Sequence, residues 1–126
     1  MQQNYSDREK ILAPYSSSSA AGGLRYFRTL PLKELERLVE RHLVDLDGWN
    51  DCPGVLRGFL PFLKRNPLFT AHGYADLGDG EEARVTIEGV EKNGYLDRGE
   101  LIDFVRTFKD ADEFELTDSY ARCWYD

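Results

Sequence analysis

Two histidines, His42 and His72, and several short runs of carboxylates are the side chains in this sequence best suited to chemistry. His72 lies in the segment Leu68 to Asp76, whose alternation places Thr70, His72, Tyr74 and Asp76 on one face of a strand. In a hairpin centred on Asp79-Gly80, His72 falls roughly opposite Ile87 or Glu88. A His–Glu cross-strand pair can serve as a general base, and it is equally an ordinary sheet contact. His72, Tyr74 and Glu88 are therefore the candidate catalytic or ligand-binding set. His42 lies near the apolar stripe of a helix and reads as a boundary residue. No G-x-S-x-G, Walker loop, H-E-x-x-H or G-x-G-x-x-G is present, so catalysis has no local signature and both an enzyme and a non-enzyme stay open.

The carboxylates suggest cation binding at two places. Gly89 to Glu100, GVEKNGYLDRGE, follows the second half of an EF-hand loop. Gly94 takes the place of the turn glycine, Leu96 the apolar position two residues on, and Glu100 the twelfth place; Glu91, Asn93 and Asp97 take the third, fifth and ninth. Gly89 stands where the pattern needs Asp, and the preceding ARVTIEG has the character of a strand. A turn at Asn93-Gly94 followed by a helix capped by Asp97 and Glu100 explains the same residues without a cation. The second place is the loop holding Asp45, Asp47 and Asp51 between two helices. Aligned on Gly48 as turn glycine, it has Leu43 and Gly54 where charged ligands belong, and Asp47 or Asp51 suits a helix cap. No tight calcium site and no cofactor are expected.

Cys52 and Cys123 form no CxxC and stand near no histidine cluster, so two reduced thiols are expected. Near the C-terminus, Tyr120, Trp124 and Tyr125 beside Arg122 have the composition of an interface hot spot. Core packing is the simpler account of Trp124; Tyr125 fits either side of a sheet.

These groups are positioned by a legible series of elements. Residues 1–23 read as an arm: a short helix from Asp7 to Ala13 with Ser6 and Glu9 as its capping box, then the linker composition SSSSAAGG. Ile11 and Leu12 are its large apolar residues and could dock a short helix on the domain. Residues 24–126 read as one α+β domain. Leu24 to Thr29 suits a strand, and Pro31 to about Leu46 an amphipathic helix. A second helix follows Pro53, with a kink or a split at Pro61. The hairpin Leu68 to Asp76 and Ala83 to Val90 comes next, with a bulge near Gly89. A helix opened by Asp97 and Glu100 leads to a strand over Glu113 to Tyr125, interrupted at Asp118-Ser119, in which Phe114, Leu116, Tyr120 and Trp124 share a buried face. Leu35, Val39, Phe59, Ile87, Val105 and Phe108 are the expected core. The order is the βαββαβ of a ferredoxin-like fold with one helix added and the helices on one face of an antiparallel sheet.

Composition bounds the function. The 126 residues carry a net charge of −7, unevenly: residues 1–70 sum to +2 and residues 71–126 to −9. That balance argues against nucleic acid as a partner, since phosphate contacts need clustered positive charge. No apolar run is long enough to span a bilayer, and Met1 to Lys10 has no apolar core of a secretory signal, so a cytoplasmic protein without membrane contact is expected. The favoured expectation is a non-catalytic protein-interaction or regulatory module whose partner is another protein. The alternative is a small enzyme or ligand-binding domain centred on His72, Tyr74 and Glu88. In a ferredoxin-like sheet the edges would be Leu68 to Asp76 and the C-terminal strand, so a homodimer is expected through the hairpin edge, away from Glu113, Glu115, Asp118, Arg122 and Asp126.

Overall fold

The alternating segments on either side of residues 77–84 pair as antiparallel strands, β2 (Thr70–Asp76) and β3 (Val85–Asn93). Ala71, Ala75, Val85 and Ile87 turn to one side of this hairpin and are buried there. β1 (Leu24–Leu30) pairs with the outer side of β2. β5 (Tyr120–Trp124) pairs with β3, and β4 (Glu113–Thr117) with β5. The result is a five-stranded antiparallel sheet in the order β1-β2-β3-β5-β4. It was determined as a computed structural model that describes residues 8, 10–16, 24–48, 52–76 and 85–125. The expected capping box at Ser6 and Glu9, the linker beyond Ser16, Trp49, Asp51 and the turn at Asp79-Gly80 lie outside the described residues.

The fold is α+β, but the ferredoxin-like order is corrected. A split βαβ unit would insert β3 between β1 and β2; here β1 joins β2 directly. The edges change with it. β2 is an interior strand, so Leu68 to Asp76 offers no free edge, and the expected hairpin-edge homodimer loses its premise. Among the described residues the edges are β1, where Ser16 forms an isolated bridge to Phe27, and β4.

The helix after β1, α1 (Leu32–Glu40), follows Pro31 and buries Leu35 and Leu38. It ends well before Leu46. His42 adopts φ +57, Leu43 N–H bonds the Leu38 carbonyl and His42 N–H bonds that of Val39. This is a Schellman closure with histidine in the left-handed position, and it leaves His42 exposed, not on the apolar stripe. The segment containing Pro61 is split as expected: a π-helical turn, Val55–Phe59, runs into α2 (Leu60–Arg65) with the proline in its first turn, where no donor is missed. α3 (Arg98–Phe108) opens with the full capping box, Asp97 Oδ1 accepting from Glu100 N–H at 2.8 Å and Glu100 Oε1 from Asp97 N–H at 3.0 Å.

The core between helices and sheet is aromatic. Phe59 stacks on Phe108 with centroids 5.6 Å apart, and Phe62 meets Phe69 and Phe108 edge-on at 4.9 and 4.8 Å. Leu35, Phe59, Ile87 and Phe108 are buried as expected, whereas Val39 and Val105 are half-buried. Ile11 and Leu12, from the stretch read as an arm, are fully buried in the same core. Among the described residues no helix is long and apolar enough to cross a membrane.

The C-terminal strand is two strands, and their hairpin corrects the expected alternation. Thr117 pairs with Tyr120 across the two-residue turn, so Tyr120 shares a face with Thr117, not with Leu116. Phe114, Leu116, Ala121 and Cys123 turn to the helices, followed by Tyr125, which packs on Phe59 and Phe108. Tyr120, Arg122 and Trp124 belong to the opposite face.

Candidate functional site

That opposite face gathers the side chains of interest. In register across it stand Tyr26 of β1, Tyr74 of β2 and Thr86 of β3. A second row holds Thr70, Glu91, Arg122 and Glu115 on successive strands. β3 bulges between Ile87 and Gly89, where the alternation breaks in the sequence, and His72 pairs with Gly89. Gly89 has no side chain to fill its place on this face. The His72 ring occupies it, and a Cβ at position 89 would fall on the His72 ring and on the Cys123 carbonyl oxygen.

Through that gap His72 reaches over β3 to β5. Its Nε2–H donates to the Cys123 carbonyl oxygen at 2.8 Å, and its ring stacks on Trp124 with centroids 4.8 Å apart and planes 12° from parallel. The remaining ring nitrogen, Nδ1, is buried and has no hydrogen-bond partner. Tyr26 and Tyr74 close around Trp124, each with a centroid within 5.7 Å of it. The Arg122 guanidinium lies 5.3 Å from the indole centroid, at cation–π distance. Burial pushes the His72 imidazole down to about 4, outweighing the opposing charge of Glu91 and the bond to Cys123. At neutral pH it is an uncharged ring with 0% exposure.

An ionic band borders the aromatic cluster. Arg28 sits in a β1 bulge formed with Thr29, whose φ is +60. From there its guanidinium spans β2 and grips Glu91 on β3 with two bonds, 2.9 and 2.7 Å. The Glu91 side chain is 1% exposed and that of Arg28 50%. Arg122 donates to Glu113 at 3.1 Å and lies 3.7 Å from Glu115.

His72, Tyr74 and Glu88 thus share a face, with His72 enclosed within it. His72 pairs with Gly89, not with Ile87 or Glu88, because the bulge shifts the register. Glu88 accepts from the Thr86 hydroxyl at 3.1 Å. His72 lies beneath Trp124, closed to a solute. A shallow cleft lined by Leu46, Asp47, Cys52, Leu56 and Arg57 lies beside the π-helical turn and takes in none of the three.

The cation candidates are also dispersed. Glu91 holds Arg28; Asp97 and Glu100 hold each other's backbone at the start of α3. Lys92 Nζ donates to both Glu100 oxygens, 2.7 and 2.9 Å, occupying the place a cation would need. Asn93 is exposed at the end of β3. Asp45 and Asp47 lie in the loop after α1, with Asp51 outside the described residues. Among the described residues no three His, Cys, Asp or Glu side chains converge on one point. Both cysteines are buried thiols that form no disulfide, and burial pushes the Cys123 thiol up to about 12.

Tyr26 and Arg28 are members of this face that sequence reasoning did not single out, and Gly89 reads there as a bulge and not as the gap that His72 fills. The alternation of Tyr26 with Arg28 was legible, but their meeting with Trp124 depends on β1 joining β2. Compared with protein families, curated proteins and solved structures, the chain matches none.

This face presents half-buried tyrosines around the stacked His72 and Trp124 rings, with arginines paired to carboxylates at its border.

Proposed function

We propose that this chain is a non-catalytic protein-interaction module that engages another protein through the open face of its sheet. One observation carries the reading: Tyr26, Tyr74 and Trp124 cluster beside Arg28 and Arg122 on the face opposite the helix-packed core. Tyrosine, tryptophan and arginine are the residue types that dominate binding energy at protein interfaces. Tyrosine offers a large contact area with few rotors to freeze, and neighbouring rings restrict those here. The ion pairs Arg28–Glu91 and Arg122–Glu113 fix the arginines before a partner arrives, which lowers the ordering cost of association.

Catalysis at His72, Tyr74 and Glu88 finds less support. A general base needs access to the proton it removes, and His72 is enclosed.

The test is a quantitative capture from the native host with wild-type protein, a Tyr26→Ala/Tyr74→Ala variant and an Arg106→Ala control on α3. The reading expects a protein retained by the wild type and the control and lost from the double variant, with all three equally folded. Equal retention by all three would contradict it.

A further inference from the structure

The β4 edge is a second surface, distinct from the open face. β4 pairs with β5 on one side, and among the described residues no strand pairs with its other side. Such a strand presents alternate backbone N–H and C=O groups outward, a template for another extended chain. The side chains on its two faces differ sharply. Phe114 and Leu116 turn toward the helices, and Glu113, Glu115 and Thr117 toward the open face. Phe114 stacks on the buried Phe104 at 5.0 Å yet stays 36% exposed, because the sheet stops there while the apolar layer beneath it does not. Leu116 is likewise only partly covered.

Charge selects the occupant. Asp110, Asp112, Glu113, Glu115 and Asp118 lie in or beside β4, and residues 110–118 contain no Lys or Arg. Arg122 serves both Glu113 and Glu115, whose side chains are more than half exposed, and so leaves net negative charge along the strand. A second copy of this chain adding its own β4 would bring these carboxylates against one another, which opposes self-pairing. We infer that the β4 edge accepts an extended segment of another protein by strand addition, with basic residues over Glu113 and Glu115 and apolar residues beside Phe114 and Leu116. Backbone bonds supply the affinity in this mode and the alternating side chains supply the selection. The segment would run beside a five-residue strand, a length of roughly 17 Å at about 3.3 Å per residue.

The probe is a short blocked peptide alternating lysine and valine, titrated into the full chain and followed by backbone amide NMR. Saturable binding is expected, with the shifts concentrated on residues 113–117. Methylating the peptide nitrogens that face the edge leaves its charge intact and is expected to weaken binding about tenfold or more, since it removes the ladder donors. Glu113→Lys combined with Glu115→Lys is expected to abolish binding of this peptide and to allow a glutamate–valine peptide to bind instead. If that variant fails to fold, the methylated peptide on the wild-type chain still decides the question. Equal binding of the methylated peptide would reduce the contact to charge attraction and overturn the inference. No binding, self-association through β4, or shifts centred on Tyr26, Tyr74 and Trp124 would overturn it as well; the last would leave the open-face reading standing.

Discussion

His72 on β2 donates its Nε2–H to the Cys123 carbonyl oxygen on β5 at 2.8 Å, across the strand that separates them. The bond exists because Gly89 leaves a hole in β3 on that face. Gly89→Ala is therefore expected to displace the imidazole or to part β3 from β5. Overpacking of this kind costs about 1–3 kcal/mol and sometimes more, enough to lower the melting temperature of a domain this size by roughly 5–10 °C. Thermal melts check the loss, and a nuclear Overhauser contact between the His72 and Trp124 rings, present in the wild type, should vanish. An unchanged melt with that contact intact would contradict the geometry.

The enclosed imidazole makes stability depend on pH. His72 is pushed down to about 4 in the native chain and returns to about 6.5 on unfolding. Between those values the unfolded state binds a proton that the native state refuses, so native stability falls as the pH drops from about 6.5 through about 4. The contribution is fully present above that window and amounts to roughly 3 kcal/mol. Urea unfolding at pH 7 and pH 4.5 should show a larger loss for the wild type than for His72→Gln, which cannot titrate. The same loss in both would place the imidazole in solvent.

Glu91 is a buried carboxylate whose guanidinium partner is half exposed. Arg28→Ala leaves that charge without its bidentate donor, a change expected to cost about 2 kcal/mol, whereas reversing the exposed Glu40 should cost under about 0.5 kcal/mol. Denaturant unfolding of the two variants gives the comparison. An Arg28→Ala variant as stable as the wild type would mean that Glu91 is satisfied without it.

Burial and the raised thiol of Cys123 predict slow alkylation. In native protein at pH 8, Cys123 should stay unmodified by iodoacetamide on a timescale that labels it fully in urea. Rapid labelling of native Cys123 would show that β5 opens.

Much of this fold is legible in the sequence because its signals are local. The capping box of Asp97 and Glu100, the split at Pro61 and the bulge beside Gly89 each follow from a few neighbouring residues. The strand order does not, since the choice between β1 joining β2 and β3 entering between them rests on contacts distant in the chain. The end of α1 was hidden because the closure uses His42 where glycine is the usual signal. The interruption at Asp118-Ser119 is legible, but not that it is a two-residue hairpin turn, which reverses the alternation and so moves Trp124 to the open face and Tyr125 into the core. The same turn carries Trp124 over His72, so the aromatic cluster was beyond reach even though Tyr74, His72 and Trp124 each stood out by type.

The central claim is that the open face is where another protein binds. A photocrosslinking residue placed at position 26, at position 74 or, as a control, at position 106 on α3 tests it in the native host. The account predicts one common crosslinked protein from positions 26 and 74 and none of it from position 106. A partner trapped only from position 106, or no protein trapped from positions 26 and 74, would contradict it.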